Sequence, residues 1–317
     1  MTGSHPVTPG LYRWPSEAYH ADPCPEPSLS SGLARLILSR SPLHAWTASP
    51  RLNPAYEPTE SAAFDIGRAV HRAVLGGGDD YVAYPEELLA SNGAATTKAA
   101  REWAEEQRAA GRTPLKAEVV DQIGEIAEAV SRRLGAMKIA LDSRRSEIVA
   151  LARIDGVWCR AMIDNAPEDP RQPLYDIKTC QDASISACIR AVATYGYDVQ
   201  AAHYLDVWKA ATGEDRRFRF IFVEKTPPYE VAVVELCDAP GDTADWMVAA
   251  REKIGEARRV WGECLATNRW PGYPPHVALI GAPAWHTAAW LDRPQRPDAP
   301  SPETIARATA WQAPMEE

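Results

Sequence analysis

Residues 173–182 read PLYDIKTCQD, a strand-like run that carries an aspartate and a lysine two positions apart, Asp176 and Lys178. Charged groups leave water at a cost unless they are paired or bound to a metal. In a strand, side chains two apart share a face, so Asp176 and Lys178 stand together and Ile177 points the other way, into a core. Upstream, EIVALARIDGVWCRAMIDNAP (147–167) is two apolar runs around an Asp-Gly pair, a strong hairpin signal. Asp164 closes the second run, and the loop APEDPRQP leads into the third strand. Neighbouring strands joined in this way bring Asp164 and Asp176 to one end of a sheet.

Adjacent carboxylates repel unless a cation lies between them, and hard divalent ions such as Mg²⁺ take oxygen ligands and keep waters for chemistry. A lysine beside them could orient an attacking water and offset charge on a phosphorane-like transition state. An exposed Asp176–Lys178 ion pair on an edge strand accounts for the spacing equally well.

The remaining elements read outward from this meander. SLSSGLARLILSRSP (28–42) is a helix capped by serine and stopped by Pro42, and SAAFDIGRAVHRAVLGGG (61–78) is a second, ended by glycines. Residues 97–137 carry two more helices broken near GRTP. After the meander come a helix over 185–213, a strand pair around Pro227-Pro228 and a long closing helix over 243–268. The expected fold class is α/β (α+β), a central mixed β-sheet flanked by helices. Three segments are expected: a Pro-rich arm over 1–27, one domain over 28–291 and a Pro-rich, disordered tail over 292–317.

Bulk properties exclude several classes. With 45% hydrophobic and 24% charged residues among 317, the composition is that of a globular protein. No apolar run reaches the length of a membrane span, so no membrane partner is expected. The N-terminus lacks a basic start followed by an apolar stretch, which argues for a cytoplasmic location. The six cysteines form no CxxC pair and read as ordinary thiols. A net charge of −9 means that any nucleic-acid contact is a local basic channel. Candidates for it are the Arg and Lys residues of 96–116 together with Arg132, Arg133, Arg144, Arg145, Arg153 and Arg160.

The Asp164 and Asp176-Ile177-Lys178 pattern resembles the active site of the PD-(D/E)XK nucleases, in particular the phage exonuclease VIII (RecE-like) branch, related to the RecB nuclease domain and lambda exonuclease. The likeness runs from YHADP (19–23) to EKTPPYEV (224–231). It implies a restriction-endonuclease-like core and a metal-dependent deoxyribonuclease acting 5′ to 3′ on linear double-stranded DNA ends. The product would be a 3′ single strand for a single-strand annealing protein, and relatives assemble as homo-oligomer rings. The segment Gly67 to His71 resembles the family's G-x-x-x-H, which makes His71 a metal ligand beside Asp164, Asp176 and the main-chain carbonyl of Ile177. The metal would be Mg²⁺, with Mn²⁺ as a substitute. Gln200 and Tyr204, one helical turn apart, resemble the Q-x-x-x-Y motif that positions the scissile strand, and Glu147 stands where many relatives carry a further acidic residue.

By residue type alone, His71 would be a hydrogen-bonded helix histidine, Glu147 a solvated strand start and Tyr204 core packing. No clustered cysteine trio accompanies Cys264, so no iron-sulfur cluster is expected. Two other functions remain open: an endonuclease or repair nuclease on the same fold, and a non-catalytic DNA-end-binding protein.

Overall fold

Asp155 and Gly156 both have positive φ, 51° and 80°, the conformation a tight hairpin between twisted strands requires. The strands they join pair antiparallel from Ile154↔Val157 to Ser146↔Asn165. This hairpin is the centre of a computed structural model that describes residues 7–57, 62–76, 80–238, 245–291, 303 and 307. The chain divides into two compact units, Met1–Tyr273 and Pro274–Glu317.

In the first unit the elements begin with β1 (Gly10–Tyr12), α1 (Ser16–His20), α2 (Ser31–Ser39), α3 (Pro42–Thr47), α4 (Ala62–Leu75) and β2 (Asp80–Ala83). They continue with α5 (Lys98–Ala109), β3 (Arg112–Leu115), α6 (Ala117–Ala136), β4 (Ser146–Ile154), β5 (Val157–Asn165) and β6 (Leu174–Cys180). The last are α7 (Ile185–Tyr195), α8 (Tyr197–Thr212), β7 (Phe218–Glu224), β8 (Val231–Glu235) and α9 (Trp246–Thr267). The second unit contains α10 (Ala284–Leu291), and its described residues Val277, Leu279 and Ile280 are exposed.

Six strands form one mixed sheet in the order β1-β4-β5-β6-β7-β8, in which β6 and β7 run parallel and the other neighbours antiparallel. Helices cover both faces, as the sequence implies. On one face α4 and α6 bury Val70, Leu75, Ile123, Ile126 and Val130 against Tyr175, Ile177, Ile221 and Val223. On the other, α2, α8 and α9 enclose the larger core of Leu33, Val207, Trp208, Phe218, Phe220, Phe222, Ile254 and Trp261. Because α8 lies between the sheet and α9, it is buried nearly all round. Two ion pairs tie those helices together, Lys253 Nζ to Asp198 at 2.6 Å and Arg258 Nη2 to Asp206 at 2.8 Å.

Several local readings change. α2 ends at Ser39, ahead of Pro42 as expected, and Pro42 also starts the next helix: it occupies the first turn of α3, where its missing N–H costs nothing. The break at GRTP is β3, which pairs parallel with β2 in a separate two-stranded sheet. The helix expected over 185–213 is two helices, divided at Gly196, whose φ of 63° no helix interior accepts.

Residues 7–27, read as an arm, lie against the sheet. β1 pairs with β4, and Leu29 bridges Cys159 of β5. Asp22 is buried at 2% exposure and accepts from Ser28 N (2.8 Å) and Ser28 Oγ (2.7 Å). Arg160 Nη1 stands 3.2 Å from the same carboxylate and donates to Ser28 O, so this segment is anchored by a buried polar network. The expected tail over 292–317 lies outside the described residues except for 303 and 307.

Candidate active site

The site forms where β5 and β6 part. Asn165↔Tyr175 is the pair that joins them, after which the strands diverge. Across the opening the Asp164 side chain takes over the role of a ladder carbonyl: its Oδ2 accepts from Ile177 N over 2.7 Å. Asp164 is 7% exposed and Asp176 2%, so two carboxylates are held side by side away from water.

Strand alternation then distributes β6 between the two faces. Ile177 packs toward α4 and α6, whereas Asp176 and Lys178 face α8 beside Phe220 and Phe222, their partners on β7. Lys178 Nζ is 2.5 Å from Asp176 Oδ2, and Gln200 Nε2 on α8 donates to Asp176 Oδ1 over 2.6 Å. From the opposite side α4 delivers His71, with Nε2 3.0 Å from the Ile177 carbonyl and Nδ1 3.7 Å from Asp164 Oδ2. His71, Asp164, Asp176, Ile177, Lys178 and Gln200 are therefore brought together, from residues up to 129 positions apart (71 to 200) in the chain.

Electrostatics follow from burial. Desolvation pushes the Asp176 pKa up to about 6 against the opposing pull of Lys178, and the Asp164 charge adds to the rise. Burial works to lower the pKa of Lys178, but Asp176 and Asp164 outweigh it and leave it raised. The lysine is accordingly an ammonium.

The other expected residues are placed less centrally. The register puts Glu147 opposite Asp164, between the pairs Ser146↔Asn165 and Ile148↔Ile163, and its φ of 52° is strained for a non-glycine residue. Tyr204, one turn beyond Gln200, is buried in the large core with its ring against Phe218, and desolvation raises its pKa well above 10. The set expected to grip DNA changes most at Arg160, which is buried on Asp22 and faces no solvent channel. Arg133 and Arg145 donate to the carbonyls of Val231 and Ala166, while Arg132, Arg144 and Arg153 are exposed beside acidic partners. Tyr197 was not anticipated: Lys178 Nζ lies 4.8 Å from the centre of its ring. Its only sequence signal is its place directly after Gly196.

The donor set suits a divalent cation. Asp176 Oδ2 is buried with the Lys178 ammonium, 2.5 Å away, as its close partner among the described residues, and this oxygen can take a cation as well. With Asp164, the Ile177 carbonyl and the His71 imidazole it offers mostly hard oxygen donors. Among the described residues no three His, Cys, Asp or Glu side chains are already closed around one point. His71 meets the Ile177 carbonyl directly, so a cation would separate these two groups.

A mixed sheet with helices on both faces and an Asp…Asp-x-Lys pair at diverging strands defines the PD-(D/E)XK fold class. Residues 39–282 match the family described as a PDDEXK-like domain of unknown function (DUF3799), and the chain belongs to that family. The fold is shared with a presumed exonuclease from Eubacterium rectale, at 14% identity and TM-score 0.53 over 84% of this chain and 97% of that one. A phage-related exonuclease from Haemophilus somnus covers 76% of this chain and 96% of its own at 10% identity and TM-score 0.34. An alkaline exonuclease from Laribacter hongkongensis covers 66% and 96% at 14% identity and TM-score 0.26. These last two are too distant in shape to support an argument. No curated protein sequence matches the chain significantly. No described helix is long and apolar enough to cross a membrane.

Proposed function

We propose that this protein is a metal-dependent exodeoxyribonuclease that degrades linear double-stranded DNA from the 5′ end and leaves a 3′ single strand. The observation that carries the reading is the closed set of Asp164, Asp176 and Lys178 at the parting of β5 and β6, with His71 and the Ile177 carbonyl on its flank. The Eubacterium rectale exonuclease that shares the fold supports it.

In this reading Asp164, Asp176, His71 and the Ile177 carbonyl hold Mg²⁺, for which Mn²⁺ substitutes. When bound, the cation supplies Lewis-acid polarisation of the phosphodiester and neutralises its charge. Lys178, kept protonated by the two carboxylates, orients the attacking water and stabilises the negative charge that builds on phosphorus oxygens. Gln200 fixes the rotation of the Asp176 carboxylate, so that one oxygen is committed to the helix and the other faces the site. Tyr204 supports the same helix from within the core, and Glu147 lies across from Asp164 at the rim. Iron-sulfur chemistry has no part in the reading. Assembly as a ring around duplex DNA and transfer of the product to an annealing protein extend it.

The test is a Mg²⁺ titration with end-labelled linear duplex beside a closed circle of the same DNA, for the native protein and Lys178→Ala. Metal-dependent loss of the linear form alone, by the native protein alone, is the expected result, and the label that is released first gives the polarity. Cleavage of the circle would make the protein an endonuclease. Binding of ends with no cleavage at any metal concentration would make it a recruiting protein.

A further inference from the structure

A lysine side chain turns about four bonds, and an ammonium that must face one water molecule needs restraint on more than one side. Asp176 Oδ2 restrains Lys178 from one direction at 2.5 Å. An aromatic face lies in another, with Nζ 4.8 Å from the centre of the Tyr197 ring. The ring is seated on Phe220 and Phe222, at 5.6 Å and 6.1 Å between centroids. These are the residues paired with Asp176 and Lys178 in the β6–β7 ladder, so one strand register fixes the charged pair and the floor beneath the ring.

The turn that delivers Tyr197 is also built for the purpose. Gly196 ends α7 and precedes α8 with φ 63°, and a Cβ there would stand 3.0 Å from Arg35 Cδ. Arg35 Nη1 donates to the Tyr195 carbonyl over 2.7 Å, which pins the elbow from α2. The helix that starts at Tyr197 carries Gln200 one turn later, so a single elbow presents both the ring to Lys178 and the amide to Asp176.

We propose that Tyr197 is a positioning residue for Lys178, its ring face and the Asp176 carboxylate holding the ammonium between them so that it meets the attacking water in one orientation. This rests on the nuclease reading above. The attraction is that of a cation for the electron-rich face of the ring, and the phenol hydroxyl is not required. A residue that merely filled the space would be replaceable by any side chain of equal volume.

The distinguishing experiment uses the full chain, linear duplex and saturating Mg²⁺, and separates kcat from KM. Tyr197→Leu should lower kcat roughly tenfold or more, with KM for DNA within about twofold, and Tyr197→Phe should restore most of the lost turnover. In a second series Tyr197 is replaced by phenylalanine carrying one, two or three ring fluorines, which weakens the π face stepwise at nearly constant volume. The expected result is a kcat that falls with each fluorine, and this series reads out even if the leucine variant fails to fold. A flat kcat across the fluorinated proteins overturns the proposal, as does a Tyr197→Phe protein as slow as Tyr197→Leu. Lys178→Ala in the same assay separates the two levels: near-native turnover there removes the nuclease reading itself, whereas an inactive Lys178→Ala beside a flat series removes only the role of Tyr197.

Discussion

Gln200 Nε2 donates to Asp176 Oδ1 over 2.6 Å, linking a helix core to the middle strand of the sheet at a carboxylate that is 2% exposed. Both groups are polar and both are buried, so removing either one leaves a buried polar atom of the other without this partner. The bond commits Oδ1 to the helix and leaves Oδ2 to Lys178 and the site.

Gln200→Leu should therefore remove the donor to Oδ1 and leave the carboxylate held from the Lys178 side only. Half-saturation by Mg²⁺ is expected to rise, and kcat to fall, by about 10- to 100-fold, the usual cost of losing a group that orients a ligand. Metal titration of nuclease activity beside a circular dichroism melt checks this; unchanged metal half-saturation would show that the amide does not orient Asp176.

Asp22→Ala tests the anchoring of the N-terminal segment. The substitution removes two hydrogen bonds from Ser28 and leaves the Arg160 guanidinium, 4% exposed, without its counter-ion. Breaking one side of a buried pair costs about 3–5 kcal/mol, and equilibrium urea unfolding should show a loss of that size. A loss below about 1 kcal/mol would mean that residues 7–27 contribute little to the fold.

His203 gives stability a pH dependence away from the candidate site. It is fully buried, its Nε2 lies 3.0 Å from the Arg160 carbonyl, and desolvation lowers its pKa from 6.5 to about 4. A depressed folded-state pKa means that the unfolded chain binds the proton first as pH falls. The stabilising contribution is therefore complete above pH 6.5 and is lost progressively toward pH 4, by about 3 kcal/mol in total. Denaturant unfolding of the native protein and His203→Gln between pH 7 and pH 4 checks the sign: the native slope should be steeper. Parallel curves would contradict it.

Gly196→Ala should strain the elbow twice, through a positive φ of 63° and through a contact of 3.0 Å with Arg35 Cδ. The expected destabilisation is about 1–2 kcal/mol, with a fall in kcat larger than stability alone explains because Tyr197 and Gln200 both hang from this turn. Trimming the opposing side chain with Arg35→Ala in the same protein should relieve the steric part and leave the backbone part. An alanine variant with native melting and native turnover would show that the elbow tolerates a side chain.

The sequence by itself determined the parts whose signals are local. Asp155-Gly156 specified the hairpin, alternation along LYDIKT specified which side of β6 each residue faces, and the serines of SLSS marked a capped start for α2, at which the Ser30 side chain accepts from Leu33 N. Period and turn chemistry act over a few residues, so a single chain displays them. The pairing of Asp164 with the Asp176-Ile177-Lys178 strand was legible for the same reason, since one short loop joins the two strands.

Only the tertiary structure decided the rest. Arg160 reads as a DNA-facing cation in the sequence, yet a residue 138 positions earlier, Asp22, claims it in the interior (160 − 22 = 138). Tyr197 and Arg35 carry no periodic signal that sets them apart, and their roles arise where α2, the α7–α8 elbow and β7 converge. Glu147 falls between the ladder pairs Ser146↔Asn165 and Ile148↔Ile163, a placement that composition cannot register. Contacts of this kind depend on long loop closures and on the burial they permit, and burial decides whether a charge stays in water as a surface group or is kept out of it as part of a site.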